Sequence, residues 1–130
     1  MKKVVIDGHN LIPKIPGLSL DDPDDETKLL NILLDYCRLS RTQAELFFDG
    51  APAGYSQKTN YGLLRIHPVR RGLTADDAII AFLRAGGKNA RNMTVVSSDR
   101  RVQAEAKALH AAVIKSEDFS AEIRTVLSSP

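Results

Sequence analysis

Val4-Val5-Ile6-Asp7-Gly8-His9-Asn10 decides the fold. A short, unbroken apolar run is what a strand buried on both faces looks like. Its abrupt end on Asp7 matters as much. A carboxylate at the tip of a buried strand is costly unless it is solvated, hydrogen-bonded or bound to a metal. Gly8 lets the chain turn sharply, or lets a ligand approach the backbone. Asn10 offers a neutral oxygen, as a ligand or to orient a substrate.

Working outward, residues 11–22 hold Pro13, Pro16 and Gly17 and read as a loop. Asp22-Pro23 predicts a helix start, with Asp as N-cap and Pro at the first helical position. Asp24, Asp25 and Glu26 complement the dipole of that helix, which runs to about Leu39. Ala44 to Phe48 is a second strand, ending in Asp49-Gly50. Residues 53–62 are rich in Gly, Ser, Asn and Tyr and read as loop. Leu63 to Val69 is a third strand, limited by Pro68. A helix follows from Thr74 to about Ala85, closed by Gly86-Gly87. Met93 to Ser97, a helix from Arg100 to His110, Ala112 to Ile114 and a helix from Ser116 to Leu127 complete the chain. Strands alternating with helices predict an α/β fold around a mostly parallel sheet of about five strands. Residues 1–130 are expected to form one domain.

Several function classes are excluded. Cys37 is the sole cysteine, so neither a disulfide framework nor a Cys₄ zinc site is available. His9, His67 and His110 are scattered. No G-x-G-x-x-G, Walker A or G-x-S-x-G motif occurs. No apolar stretch is long enough to span a membrane. Met1-Lys2-Lys3 leads straight into the first strand without a long apolar h-region, so a soluble cytoplasmic protein is expected. The net charge of +2 permits a polyanionic partner without requiring one.

The acids carry the chemistry. In an open parallel sheet, ligands bind beyond the carboxyl ends of the strands. Asp7 and Asp99 follow strand candidates, and Asp76 stands in the first turn of a helix. Asp76 shares a helix face with Ile79, Ile80 and Leu83, which turns it toward the sheet. Asp77 instead completes a capping box with Thr74. Asp99 is a good N-cap for the next helix, but Ser97 or Ser98 could do that work and leave it free. Asp49 is either a turn residue or a further ligand. Carboxylates gathered without cysteine or histidine suit a hard cation, Mg²⁺ or Mn²⁺. Metal-assisted phosphodiester hydrolysis needs little more. Lys58, Arg65, Arg70, Arg71 and Arg100 are candidates for phosphate contacts. Tyr55 and Tyr61 are candidates for base stacking.

Residues 4–12 (Val-Val-Ile-Asp-Gly-His-Asn-Leu-Ile), 47–50 (Phe-Phe-Asp-Gly), 72–79 (Gly-Leu-Thr-Ala-Asp-Asp-Ala-Ile) and 95–99 (Val-Val-Ser-Ser-Asp) resemble the NYN domains. Among these the chain is most similar to the YacP type, within the PIN-like nuclease superfamily. The resemblance implies a three-layer sandwich with strand order 3-2-1-4-5. It implies a Mg²⁺ or Mn²⁺ site with Asp7, Asp76 and Asp99 at the metal-binding positions, Asn10 at the family's Asn position and Asp49 at an accessory one. It also implies RNA cleavage, as an endoribonuclease with the ribosome as a partner. NYN domains often carry another Asp two positions past Asp99, where this chain has Arg101. Two alternatives stay open: an RNA- or ribosome-binding module with a vestigial site, and a small-molecule phosphohydrolase on the same scaffold.

Overall fold

The computed structural model describes residues 1–51, 59–70 and 72–128. Its elements are β1 (Lys2–Asp7), the single turn α1 (Gly8–Leu11), α2 (Asp25–Ser40), β2 (Thr42–Ala51), β3 (Thr59–Tyr61), β4 (Leu64–Arg70), α3 (Ala75–Gly86), β5 (Met93–Val96), α4 (Arg100–Ala108), β6 (Ala112–Ile114) and α5 (Ser116–Ser128). The strands form one sheet in the order β3-β4-β2-β1-β5-β6. Every pairing is parallel except β3 with β4.

β1 lies at the centre, between β2 and β5. Val4, Val5 and Ile6 are all fully buried, which is why this run carries no polar alternation. The pleat sends Val4 and Ile6 into one core with Leu29, Leu33, Phe119 and Ile123 of α2 and α5. Val5 goes into the other, with Ile79, Leu83, Val102 and Ala106 of α3 and α4. Helices on both faces make the three-layer sandwich.

Three expectations need correction. The sheet has a sixth strand: residues 59–61, expected as loop, pair antiparallel with Leu64–Ile66. Their composition hid this, because a three-residue edge strand carries almost no periodicity. Without β3, the order reduces to the 3-2-1-4-5 the resemblance implied. Pro68 is accommodated within β4: among the described residues β3 pairs only as far as Ile66, so none of them calls on its missing N–H from that side. Finally, α2 begins at Asp25 rather than at Pro23. The Asp22 side chain accepts the Asp24 N–H at 2.9 Å, a local turn that delays the helix.

Candidate active site

Asp7 is the last residue of β1 and only 6% exposed. It lies two residues past Val5, so the pleat turns it to the α3 side of the sheet. Asp76 reaches the same point from the first turn of α3, as its helix face predicted. The two carboxyls stand close enough that each shifts the other's proton affinity, Asp7 upward and Asp76 downward. Burial, then the charges of Asp76 and Asp49, push the Asp7 carboxyl up to about 7 from an ordinary 3.8. Asp76 is raised too, first by burial and then by Asp99, while Asp7 and Arg101 pull it back. Asp7, Asp49, Asp76 and Asp99 therefore sense one another at the carboxyl edge of the sheet. Carboxylates crowded like this mark functional sites more often than chance would.

The structure also gives these acids second tasks. Asp7 caps α1, accepting the Asn10 N–H at 3.3 Å. Asp99 is itself the N-cap of α4, its Oδ1 accepting the Val102 N–H at 3.0 Å. The neighbouring serines are thus no spares. Ser97 Oγ accepts the Asp99 N–H at 3.0 Å. Ser98 Oγ donates to Glu117 at 2.6 Å and accepts the Ser116 N–H at 3.2 Å. Asp49 accepts the Ala75 N–H and so fastens the start of α3 to the end of β2. Thr74 caps α3 by accepting the Asp77 N–H at 3.1 Å, as the capping box required. The Asp77 carboxylate, however, pairs with Arg101.

Asn10 works as a strut. Its Oδ1 accepts the Ser98 N–H at 3.0 Å and the Ser116 hydroxyl at 2.5 Å, joining α1 to the ends of β5 and β6. That oxygen accepts two hydrogen bonds, a structural task the sequence did not show beside the ligand and substrate-orienting roles it left open. Asn10→Ala strands both donors and is expected to cost about 2 kcal/mol, read as a lowered denaturation midpoint. His9 bonds Glu26 at 3.1 Å and packs on Phe48 at 5.3 Å between ring centroids.

The donors suit a hard dication in kind, being carboxylate oxygens at a strand edge. Their spacing is open. Among the described residues, no three acid, histidine or cysteine side chains stand close enough to hold a metal ion as placed. The raised Asp7 carboxyl holds its proton more readily, which relieves the repulsion among the crowded acids.

The basic candidates are only partly placed. Arg65 reaches Glu45 at 3.7 Å and lies two register positions before the level of Asp7. It faces a buried acid, and half of its side chain stays exposed. Arg100 is exposed at the start of α4, and Tyr61 is 48% exposed on β3. Lys58, Arg71 and Tyr55, and the side chain of Arg70, lie outside the described residues. Sequence reading missed the Glu45–His67 contact at 3.3 Å, with His67 stacked on Phe47 at 4.5 Å between ring centroids. The available signal was the parity of Glu45 and Phe47, which puts both on the α3 face of β2.

The family model for the YacP-like NYN domain matches residues 4–129. The chain belongs to the YacP-like NYN family. That places it at family level among nuclease-like, RNA-related proteins. A crystal structure of Rae1 (YacP) from Bacillus subtilis is similar at a TM-score of 0.80, with 19% identity, covering 98% of this chain and 76% of that one. A mutant form of the same protein gives 0.78, 21%, 98% and 77%. At such identity these structures support the fold of this family member. No curated protein matches. No described helix of this family member is long and apolar enough to cross a membrane.

Proposed function

We propose that the protein is a metal-dependent endoribonuclease, cytoplasmic and acting at the ribosome, with residues 1–130 as one catalytic domain. The observation that carries this reading is Asp7. A carboxyl buried at the end of the central strand, crowded by Asp76 and pushed up to about 7, is a poor structural choice. It is a reasonable choice for a group that gives up its proton to receive a cation.

Asp7, Asp76 and Asp99 would hold Mg²⁺ or Mn²⁺. A dication there supplies activation of water and neutralisation of phosphate charge. The chain's own groups do the rest. Asp49 and Asn10 fix the start of α3 and the turn after β1, so that Asp76 and Asp7 arrive in register. Ser98 ties the loop that carries Asp99 to α5. Arg100, with Lys58, Arg70 and Arg71, would meet the RNA backbone, giving affinity that falls with salt.

The test is cleavage of single-stranded RNA with Mn²⁺, with and without chelator. Wild type is expected to cut. Asp76→Asn should lose at least about 100-fold in kcat, with Asp77→Asn keeping measurable activity. Absence of cleavage by wild type under any metal defeats the reading. The open acid spacing and the cation at position 101 favour the second reading, an RNA- or ribosome-binding module. It would show RNA affinity that survives chelation and Asp7→Asn.

A further inference from the structure

Arg41 and His110 hold backbone conformations that side chains avoid. Among the described residues they are the non-glycine positions with a positive φ, at 52° and 67°. Arg41 is the C-cap of α2, and His110 stands two residues past the end of α4. At such a helix end a Cβ crowds the following carbonyl, and glycine is the usual residue. α3 keeps to that rule, with Gly87 at φ 55° as its C-cap. The helix dipoles do not explain the two exceptions. Arg38, Arg84 and Lys107 already place a cation in the last turns of α2, α3 and α4. A strained position that keeps its side chain points to a use for that side chain.

The sheet register lines these two residues up with further cations. α2, α3 and α4 each lead into a parallel strand, so their C-terminal ends lie at the amino edge of the sheet. Arg41 directly precedes Thr42, the partner of Lys2. Arg91 stands two positions before Met93, the partner of Lys3. His110 stands two positions before Ala112, the partner of Thr94. Arg41, Lys3, Arg91 and His110 thus mark the starts of the neighbouring strands β2, β1, β5 and β6. At about 4.8 Å between strands, the row is roughly 14 Å long. Arg41, Arg91 and His110 are exposed. Glu122 of α5 and Asp35 of α2 are matched already, by Lys2 at 3.7 Å and Arg38 at 3.5 Å. Among the described residues, no ion pair engages Arg41, Lys3 or Arg91.

We propose that this amino edge is a second nucleic-acid surface, where Arg41, Lys3, Arg91 and His110 contact successive phosphates along double-helical RNA. It does not depend on the nuclease reading, since Asp7 ends β1 at the opposite edge, roughly 16 Å from its start. The carboxyl edge is acidic and repels a polyanion, whereas the amino edge attracts one. The arginine forks match phosphate oxygens, and His110 adds a ring N–H. The row holds no tyrosine, phenylalanine or tryptophan on which an unpaired base could stack. A duplex keeps its bases inside and presents its backbone, the part by which proteins mostly recognise double-stranded RNA.

The experiment is fluorescence anisotropy of a labelled RNA duplex of about 16 base pairs, titrated with protein over a range of salt with chelator present. A uridine strand of equal length and an oligoglutamate peptide are the comparison probes. Wild type is expected to bind the duplex more tightly than either. Arg41→Gly and Arg91→Ala should each weaken duplex binding about 5-fold and lower the salt slope by about one. His110→Gly should weaken it about 3-fold, the loss of one neutral hydrogen bond. Thermal midpoints separate binding from a structural role. Freed of the strained φ, Arg41→Gly and His110→Gly should unfold about 2 °C above wild type while holding less RNA. Unchanged duplex affinity in a variant combining Arg41→Gly with Arg91→Ala overturns the inference. So does tighter binding to the single strand or the peptide, or a lowered midpoint in both glycine variants. A wild type that binds the duplex but cuts no RNA removes the nuclease reading and leaves this one standing.

Discussion

Asp7→Asn is expected to make the protein more stable above neutral pH while abolishing RNA cleavage. The carboxyl is ordinary in the unfolded chain, at 3.8, and pushed up to about 7 in the folded one. The folded state therefore holds the proton more tightly. The associated stability is fully present below the unfolded value and is lost as pH rises through 7. One pKa unit corresponds to about 1.4 kcal/mol, so the whole shift amounts to roughly 4 kcal/mol. Between pH 5 and pH 8, wild type should lose roughly 2–3 kcal/mol from this group alone. Asparagine carries no charge at either pH and keeps an oxygen for the Asn10 N–H. Denaturant unfolding at the two pH values checks it: the mutant curve should be flatter and should lie above wild type at pH 8. Parallel pH profiles would sink the idea. Saturating Mn²⁺ should raise the wild-type midpoint at pH 8 and leave the mutant's in place, because a ligand stabilises only the state that binds it. Stability gained at the expense of activity is the usual sign of a site built against its own stability.

Phe48→Ala and Gly8→Ala should each destabilise the protein, and together by less than their sum. Phe48 is 5% exposed and packs over the turn that follows Asp7. Its truncation is expected to cost about 3–5 kcal/mol. A Cβ built on Gly8 would overlap Phe48 Cε1, stand 2.6 Å from Cδ1 and 3.1 Å from the Phe47 carbonyl oxygen. Overpacking of this kind costs about 1–3 kcal/mol. The Gly8 backbone needs no left-handed φ, so close approach is the reason for glycine. Once Phe48 is alanine the ring clash is gone. The double mutant should then be at least about 1 kcal/mol more stable than additivity allows, as neighbours in contact are. Equal additivity in a thermal-denaturation cycle would show that the turn relieves the clash by moving elsewhere. Gly8→Ala should also lower cleavage more than Phe48→Ala for equal stability lost, since the inserted methyl pushes on the residue after Asp7.

How much of the site was legible depends on how far away each partner lies. The face of Asp76 followed from i+3, i+4 and i+7 spacing and holds in the fold. The capping by Thr74 followed from a four-residue pattern and holds too. Asp99 did not follow. Its cap bond is local, but choosing between it and the two serines required knowing that Ser98 is engaged by Ser116 and Glu117 of α5. The strut role of Asn10 was out of reach for the same reason, since its bonds span 88 and 106 residues. Glu45 could be read as one acid in an apolar run, but not as buried beside His67, because the partner arrives on β4.

The sequence by itself determined the α/β alternation, the central buried strand and the placing of carboxylates at strand ends and a helix start. Those features rest on periodicity and caps, which act within a few residues along the chain. Only the tertiary structure decided how the carboxylates are used. It buried Asp7 against Asp76, set Asp99 and Asp49 to fastening helices, and turned Asp77 to Arg101. Charge and proton affinity depend on distance through space, and three separate crossovers of the chain meet at that edge of the sheet.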